Sequence, residues 1–380
     1  MSHADTDDEK PAGPLRRGWT TGSCATAAAR AAYELLVTGT CPASVEIALP
    51  GGARTGFAIA RSTAEGDRAT AGVVKDAGDD PDVTHGALVL ATLWRAAPGT
   101  GLSFRAGPGV GTVTRPGLAI APGEPAINPV PRAMIRTTLA EAAVATGGPG
   151  DVVVEISIPG GEALAVRTLN GRLGIVGGLS ILGTTGVVIP YSCSAWIHSI
   201  HRGVDVARAS GLTHVAGSTG STSEAAVQAL YRLEPTALLE MGNFAGGLLK
   251  YLRRNPIPRV TIAGGFAKMA KLAQGLHDLH SGRGSIDPDL LGQLVASTGA
   301  AEVVRQRIAA AHTAHQALDE ARAAGVPLGD LVAEAAWQTA ADVLDGSGIA
   351  LDIVVFDRAG VLAGRTAPRI AHSGRPRNRR

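Results

Sequence analysis

The second half of the chain alternates between short apolar runs and amphipathic stretches of helical length. The apolar runs Leu212–Ala216, Ala237–Gly242 and Val260–Gly265 predict three strands, because each is short and stops at a glycine. The stretches between them, Ala225–Leu233 and Phe244–Arg254, have the spacing of helices. Strands that alternate with helices indicate parallel pairing in an open, doubly wound sheet.

This predicted sheet contains a candidate cofactor site. In open parallel sheets ligands bind beyond the carboxyl ends of the strands, and an acid at the tip of the second strand accepts hydrogen bonds from ribose hydroxyls. Glu240 stands at such a tip, and a glycine- and hydroxyl-rich loop precedes the first helix. The pattern favours NAD or S-adenosylmethionine (SAM), although ordinary turns explain the same glycines. The candidate cofactor-binding residues are Gly217, Thr219, Gly220, Glu240, Gly242, Asn243, Gly264 and Gly265.

The first half of the chain has a different pattern, in which helices precede alternating apolar and polar strands. Val45–Gly52 and Val154–Gly161 resemble each other, and each predicts a half-buried strand that ends in a Pro-Gly-Gly turn. A helix is predicted before each, and a second strand after each turn. The predicted helices are Ala25–Val37 and Arg132–Ala145, and the predicted second strands are Arg54–Ala60 and Glu162–Arg167.

We therefore predict a chain of mixed class, α+β followed by α/β. The helix-plus-hairpin repeat domain spans 15–193, and a Rossmann-like domain with an open parallel sheet spans 194–366. The apolar run Ala350–Phe356 predicts the last strand of that sheet. Residues 1–14 are expected to form a disordered tail and residues 367–380 a basic tail.

Composition and charge narrow the range of partners. The net charge of +2 gives no indication of nucleic-acid binding. Cys24, Cys41 and Cys193 are widely separated and form no zinc motif, which favours a reducing cytoplasm. The polar N-terminus is unlike a signal peptide, and glycines interrupt the most apolar stretch, so no membrane span is expected. The oligomeric state, including a homodimer, stays open.

A helix start rich in hydroxyl groups is a candidate anion site in the first half. Thr20, Thr21, Gly22 and Ser23 provide more hydroxyls than one N-cap needs, so they favour binding of a substrate carboxylate, with a well-capped helix as the alternative. Cys24 in the same turn is a less favoured nucleophile, because no histidine is near it in the sequence to activate it.

A second polar stretch, residues 73–86, leaves three interpretations open. Its carboxylates and His85 are candidate ligands for a divalent metal. Alternatively the aspartates hydrogen-bond their own backbone, or Lys75 and His85 face an anionic substrate. Arg132 near a helix start opposes the helix dipole, which suggests a role in carboxylate binding.

Several of these stretches together resemble the CbiD family, the cobalt-precorrin-5B C1-methyltransferases of anaerobic cobalamin biosynthesis. The similar segments are GWTTGSCATAAARAA (18–32), VVKDAGDDPDVTHGA (73–87), INPVPRAMI (127–135), RLGIVGGLSILGTTGVV (172–188), GNFAGGLL (242–249) and HDLHS (277–281).

The resemblance implies a two-domain enzyme that methylates ring carbon C1 of cobalt-precorrin-5B to give cobalt-precorrin-6A, with SAM as methyl donor. Cobalt enters only as part of an anionic corrinoid substrate, and no protein-bound metal is implied. An anionic corrinoid fits the candidate anion sites, and the predicted substrate contacts are Thr20, Thr21, Gly22, Ser23, Lys75, Arg132, Thr184 and Thr185. The family does not indicate which residue, if any, moves a proton, and our hypothesis is that Asp76 or His85 orients the macrocycle or accepts a proton.

One departure and three alternatives accompany this prediction. The loop after Gly217 differs from the acidic, triple-glycine loop of common SAM methyltransferases, so the exact cofactor contacts stay open. The alternatives are a noncatalytic corrinoid- or nucleotide-binding protein, an NAD-dependent reductase of the same pathway, and a thiol enzyme that uses Cys24.

Overall fold

The computed structural model describes residues 13–280, 282 and 286–372. These residues form two compact units, one that ends at Ser192 and one that begins at Cys193. Each unit has its own hydrophobic core. Among the described residues, no helix is both long enough and apolar enough to span a membrane. Most of the predicted N-terminal tail, residues 1–12, lies outside the described residues.

The first unit is built on a five-stranded sheet in the order β4-β5-β6-β10-β7. All neighbours in it are antiparallel except β10 and β7, which are parallel. Its strands are β1 Gly18–Trp19, β2 Ser44–Ala48, β3 Arg54–Ala58, β4 Arg61–Glu65, β5 Arg68–Val74, β6 Leu88–Arg95, β7 Ser103–Ala106, β8 Gly109–Val110, β9 Thr112–Val113, β10 Val152–Ser157, β11 Ile175–Val176, β12 Gly178–Leu179 and β13 Val187–Val188. Its helices are α1 Thr21–Thr38, α2 Pro129–Thr146 and α3 Gly161–Ala165.

Helix α1 is buried on nearly every side, which its alanine-rich sequence permits. It contacts α2 as well as β5 and β6 of the sheet. Ala25, Ala28 and Ala32 have no exposed surface, and such small side chains let a helix approach its neighbours closely. The helix ends at Gly39, whose φ of 75° is the left-handed conformation typical of a glycine after a helix.

The predicted repeat is correct in its first copy and wrong in its second. Strands β2 and β3 pair as an antiparallel hairpin. After β10, however, the chain enters helix α3, where the sequence predicted the strand Glu162–Arg167. The physical reason is that β6 and β7 already occupy both edges of β10, so no edge is left for a hairpin partner.

The second unit is organised around a six-stranded sheet in the order β15-β14-β16-β17-β18, with β19 also on β17. The first four strands are parallel, as predicted, and β18 and β19 are antiparallel to β17. The strands are β14 His214–Ser218, β15 Leu238–Glu240, β16 Arg259–Gly265, β17 Ala350–Phe356, β18 Leu362–Arg365 and β19 Arg369–Ile370. The helices are α4 Cys193–Ala209, α5 Ser221–Tyr231, α6 Ala245–Arg254, α7 Phe266–Ala273, α8 Pro288–Ala296, α9 Glu302–Ala309, α10 Ala314–Ala323 and α11 Leu328–Leu344.

Two predictions for the second unit need correction. The apolar spacing of Phe266–His280 predicts one helix, with His277 and His280 one turn apart as candidate ligands or structural residues. Helix α7 instead ends at Ala273, because Gly275 follows with a φ of 90°. His277 and His280 therefore lie beyond the helix rather than one turn apart on it, and Ser281 of the HDLHS segment lies outside the described residues. The predicted C-terminal tail begins later than residue 367, because β19 belongs to the sheet; residues 373–380 lie outside the described residues.

A buried ionic network fixes the register of β16 and β17. Asp352 is fully buried and accepts hydrogen bonds from Arg259 Nε at 3.0 Å, Thr261 Oγ1 at 2.9 Å and the Tyr231 hydroxyl at 2.8 Å. Burial and the Asp352 carboxylate raise the pKa of Tyr231 to about 12. Because Thr261 is the pairing partner of Asp352 across the two strands, a slip in register would leave this buried charge without its partners.

Candidate functional sites

A cleft of about 440 Å³ lies at the carboxyl ends of the parallel strands in the second unit. The loop that follows β14 and the first turn of α7, which follows β16 directly, both line it, and these strands flank the point where the strand order reverses. Ligands of open parallel sheets bind at such a point. The lining residues are Thr219, Gly220, Thr222, Ser223, Gly265, Phe266, Ala267, Lys268, Ile286, Ala314, His315, Leu318, Phe356, Asp357 and Arg358.

The charges along this cleft favour an anionic group. Lys268 and Arg358 line it, and the Lys268 amino group donates to the Thr219 carbonyl at 2.8 Å. Among the described residues of the lining, Asp357 alone is acidic, and its carboxylate accepts from Arg322 at 3.0 Å and from two backbone amides. Burial opposes ionisation of Asp357, but these hydrogen bonds outweigh it and lower its pKa.

The predicted cofactor residues fall into three groups in the structure. Thr219, Gly220 and Gly265 line the cleft. Gly217 and Gly264 are packing glycines: a Cβ atom at 217 would lie 2.3 Å from Leu248 Cδ2, and one at 264 would lie 2.7 Å from Met269 Cε. The remaining three, Glu240, Gly242 and Asn243, lie at the end of β15, on the other side of β14 from the cleft.

Two buried polar atoms mark the end of β15. Asn243 Oδ1 and the indole nitrogen of Trp196 have no hydrogen-bond partner among the described residues. Gly242 adopts a φ of 55°, and a Cβ atom there would lie 3.4 Å from that indole nitrogen. Within the described part of the chain, one unpaired donor, the Trp196 indole N–H, and one unpaired acceptor, Asn243 Oδ1, are therefore found where the sequence predicted cofactor contacts at Glu240, Gly242 and Asn243.

Sequence reasoning missed the cations of the cleft. Lys268 lies in the first turn of α7, and Arg358 follows β17 by two residues. Both positions come directly after predicted strands, so the rule that ligands bind beyond strand ends was a usable signal for them. His315 and Leu318 of α10 were not accessible to this rule, because only the tertiary fold brings α10 to the cleft.

In the first unit, the start of α1 is closed by the chain itself. Ser23 N donates to Thr20 Oγ1 at 3.2 Å, and Gly22 N donates to the Leu182 carbonyl at 3.0 Å. The Ser23 hydroxyl donates to the Gly186 carbonyl at 2.7 Å. Thr20 and Thr21 are also buried. Thr20, Thr21, Gly22 and Ser23 therefore cap the helix and hold the 182–186 segment, which corrects the prediction of an open anion site.

The same segment exposes two hydroxyl groups beside the helix start. Thr184 and Thr185 are exposed, and Thr185 Oγ1 donates to the Val187 carbonyl at 3.1 Å. The neighbouring strand β13 pairs with β1, and so the segment is held close to Gly18 and Trp19. Of the predicted hydroxyl contacts, Thr184 and Thr185 are thus the ones accessible to a ligand.

Lys75 is an internal ion-pair partner rather than a surface cation. Its side chain is 2% exposed, and Nζ donates to Asp82 Oδ2 and Thr84 Oγ1. Burial opposes ionisation of Asp82, but the Lys75 charge and the Thr84 hydrogen bonds lower its pKa. This corrects the prediction that Lys75 faces the substrate. Among the described residues, no group of three or more histidines, cysteines or acids is arranged to hold a metal ion.

Arg16, Asp76 and His85 form an exposed polar cluster. The Arg16 guanidinium donates to both Asp76 oxygens, with Nη2 2.8 Å from Oδ1. This ion pair and the Gly78 N–H lower the pKa of Asp76 to about 2. His85 Nδ1 accepts from Ala77 N at 3.1 Å, so a neutral His85 carries its proton on Nε2. Asp76 is therefore a weak base, and His85 presents a hydrogen-bond donor.

This cluster exists because two distant segments lock together. Trp19 N donates to the Asp76 carbonyl at 2.7 Å, and Asp79 N donates to the Arg16 carbonyl at 3.0 Å. The backbones approach so closely that a Cβ atom at Gly78, where φ is 69°, would lie 2.2 Å from the Arg16 oxygen. The helix start and the aspartate-rich stretch that the sequence treated separately are therefore neighbours.

Arg132 makes several internal contacts, and Cys24 is buried. Arg132 donates to the Ile127 and Pro125 carbonyls at 2.8 and 3.0 Å and to Glu124 Oε2 at 3.0 Å, so its charge is neutralised within the unit. Cys24 has no exposed surface, and burial raises its pKa to about 12. Carboxylate binding by Arg132 stays a prediction, whereas the burial and the raised pKa of Cys24 disfavour a nucleophilic role. Cys41 is half-buried and Cys193 is exposed.

Comparison with known proteins identifies the family. Residues 8–190 match the model of the CbiD family, and residues 278–367 match that of the CbiD C-terminal domain. The chain is 66% identical to a protein of Bradyrhizobium sp. (strain BTAi1) over 97% of both chains. The chain belongs to the CbiD family.

Other members of the CbiD family are similarly close. A protein of Agrobacterium fabrum is 58% identical over 96% of this chain and 98% of its own, and one of Methylorubrum extorquens is 59% identical over 92% and 97%. These two and the Bradyrhizobium protein are named cobalt-precorrin-5B C(1)-methyltransferase. A crystal structure titled cobalamin biosynthesis protein (cbiD) from Archaeoglobus fulgidus is 25% identical, covers 83% of this chain and 86% of its own, and has a TM-score of 0.39.

Proposed function

We propose that this protein is a cobalt-precorrin-5B C1-methyltransferase that uses SAM to convert cobalt-precorrin-5B to cobalt-precorrin-6A. One observation carries the proposal: 66% identity over 97% of both chains to a curated relative of that name. Cobalt belongs to the substrate. A cytoplasmic location, a homodimer and the domain limits 15–193 and 194–366 remain predictions from the sequence.

The proposed chemistry requires alignment more than acid or base catalysis. The sulfur–methyl bond of SAM breaks as the bond from the methyl group to ring carbon C1 forms. The electron pair stays on sulfur, so the leaving group is a neutral thioether and needs no proton. Holding donor and acceptor in line therefore supplies most of the rate acceleration.

We place SAM at the carboxyl ends of the parallel strands in the second unit. Thr219, Gly220 and Gly265 line the cleft and are retained as cofactor contacts. For the ribose we retain the predicted contacts at the end of β15, namely Glu240, Gly242 and Asn243. Strand β15 is the direct neighbour of β14, so its end lies beside the loop that lines the cleft. Gly217 and Gly264 act indirectly, since they allow the strand ends to pack.

We place the carboxylates of the substrate against the exposed cluster of the first unit. Arg16 and His85 provide donors there, and Thr184 and Thr185 are exposed on the 182–186 segment. Asp76 orients Arg16 and stays ionised, because its pKa of about 2 is far below neutral pH. In this proposal Asp76 and His85 position the macrocycle, and neither removes a proton from it.

Anaerobic turnover of purified protein with cobalt-precorrin-5B and methyl-labelled SAM tests the proposal. We expect the label to appear on the corrinoid by mass spectrometry, in proportion to the S-adenosylhomocysteine released. Reactions without SAM and reactions with heat-denatured protein are the controls. Corrinoid binding without transfer would instead indicate a carrier, and preferential binding of NADH over SAM would indicate a reductase.

A further inference from the structure

The cleft of the second unit is lined by two cationic residues that follow adjacent strands, one in the first turn of α7 and one in the turn after β17. Gly265 and Phe356, the last residues of β16 and β17, pair with each other, so the two strands end level. Lys268 lies three residues beyond the first of these ends, and Arg358 lies two residues beyond the second. Both residues line the cleft, so two cationic residues belong to one site.

Asp357, the acidic residue of the cleft lining, does not pair with Arg358. Asp357 points its carboxylate at Arg322 and at the amides of Ala359 and Val361. Arg358 is exposed and makes no ion pair with any acid of the described residues. A guanidinium that lines a cleft in this way is suited to a carboxylate, which it binds through two parallel hydrogen bonds.

The position of Lys268 adds to this preference. It is the third residue of α7, whose first turn contains no acidic residue. A cation in the first turn of a helix is repelled by the positive end of the helix dipole. The Lys268 amino group donates to the Thr219 carbonyl at 2.8 Å, so its charge is held beside the loop after β14, where an anion bound in the cleft would meet it.

We infer that Arg358 and Lys268 bind the carboxylate at the amino-acid end of the cofactor, and this inference rests on the proposed function. Three strand spacings of about 4.8 Å separate the end of β15 from the end of β17. This distance can be bridged by an extended SAM molecule whose carboxylate meets the Arg358 side chain. Its ribose then lies towards Glu240 and its carboxylate lies in the cleft.

Calorimetric titration of the full chain with two probes tests the inference. S-adenosylhomocysteine carries the carboxylate, whereas 5′-methylthioadenosine has the same nucleoside without the amino acid. We expect Arg358→Met and Lys268→Met each to weaken binding of S-adenosylhomocysteine about ten-fold, or about 1.4 kcal/mol. Binding of 5′-methylthioadenosine should be unchanged.

Matched variants separate charge from structure. Arg358→Lys keeps a cation and should retain most of the affinity, and Arg365→Met removes an exposed arginine of the same unit outside the cleft lining and should have no effect. Equal weakening of both probes, or no weakening of either, would overturn the inference. Loss of corrinoid affinity alone would also overturn it, because the carboxylate would then belong to the substrate.

The outcome also separates this inference from the proposed function. Methyl transfer by the wild-type protein, with S-adenosylhomocysteine affinity unaffected in Arg358→Met, refutes the carboxylate contact alone. Absence of both methyl transfer and S-adenosylhomocysteine binding in the wild-type protein refutes both.

Discussion

Single hydrogen bonds from the backbone set the chemistry of the exposed cluster. Ala77 N–H points at His85 Nδ1, and Gly78 N–H points at Asp76 Oδ1. The first contact directs the proton of neutral His85 to Nε2, and the second helps Arg16 to keep Asp76 ionised. Neither effect was visible in the sequence, because both amides belong to a turn whose shape depends on its contact with Arg16.

The two amide isosteres of histidine test the donor role of His85. In His85→Gln the side-chain amide reaches the position of Nε2 and preserves a donor, whereas in His85→Asn it reaches only the position of Nδ1. We expect His85→Asn to raise KM for the corrinoid about ten-fold, the effect of losing one hydrogen bond to a charged group, with kcat unchanged. His85→Gln should stay near wild type in steady-state turnover.

The contrary result for His85 has a distinct kinetic signature. If both substitutions lowered kcat and left KM unchanged, His85 would take part in the chemical step. A role in folding alone would lower the thermal midpoint of both variants without a difference between them in KM.

The glycines of the 76–86 turn provide a second test at this scale. Gly78 and Gly86 both have positive φ, 69° and 76°, so alanine strains the backbone at either position. A Cβ atom at 78 would in addition lie 2.2 Å from the Arg16 carbonyl oxygen, whereas one at 86 would have no atom within 4 Å. We expect Gly78→Ala to lower the free energy of unfolding by clearly more than Gly86→Ala, measured by urea titration. Equal losses of stability in the two variants would show that the segments around Arg16 and Gly78 separate at little cost in free energy.

At the scale of elements, local pattern identified the parallel strands β14 to β17 and the first hairpin, but it did not identify β4 to β7, and long-range pairing decided the second copy of the repeat. The run Ala350–Phe356 is the strand β17 as predicted. The segment after β10 has a sequence similar to the hairpin of the first copy, yet it forms α3, because β6 and β7 fill both edges of β10. No single-sequence signal reports which edges of a strand are taken.

The close packing of α1 predicts intolerance to larger side chains. Ala28 is fully buried in α1, a helix that contacts both α2 and the sheet, whereas Ala145 is exposed on α2. We expect Ala28→Leu to lower the free energy of unfolding by about 1–3 kcal/mol through overpacking. Ala145→Leu makes the same chemical change on a helix surface and should be nearly neutral. Chemical denaturation of both variants measures the difference, and a neutral Ala28→Leu would contradict the close packing.

At the scale of the whole molecule, the sequence distinguished the two kinds of sheet but not the order of strands within them. Parallel strands and half-buried hairpins differ in their apolar patterns, which is why the change near residue 190 was visible. The cofactor prediction named Thr219, Gly220 and Gly265 of the cleft lining but did not name Lys268 and Arg358. The strand order determines how far the end of β15, with Glu240, lies from the cleft, and therefore whether one ligand can reach both. Only the fold provides this order.

Acid sensitivity is a property of the whole chain, because depressed carboxyl pKa values occur in both units. The pKa values of Asp82 and Asp357 lie below the ordinary 3.8, and that of Asp76 is about 2. A lowered pKa in the folded state contributes stability that is present above pH 3.8 and is lost as the pH falls through the folded value. We expect the free energy of unfolding to decline below about pH 4.

A pair of substitutions assigns part of this acid dependence. Asp82→Asn leaves the buried Lys75 without its anionic partner, so it should lower stability at neutral pH and reduce the decline below about pH 4. The exposed Asp67→Asn should retain the wild-type profile. Urea titrations over this pH range supply the measurement, and identical profiles for the wild type and Asp82→Asn would contradict the assignment.

The three cysteines differ so strongly in exposure that the native chain has a nearly unique attachment point for a spectroscopic probe. Cys193 is exposed and is the first residue of the second unit, while Cys24 is buried with a pKa of about 12 and forms almost no thiolate at neutral pH. With the half-buried Cys41 replaced by serine, a maleimide fluorophore would label Cys193 alone. Its emission would then report in real time how the start of helix α4 responds when cofactor or corrinoid is added.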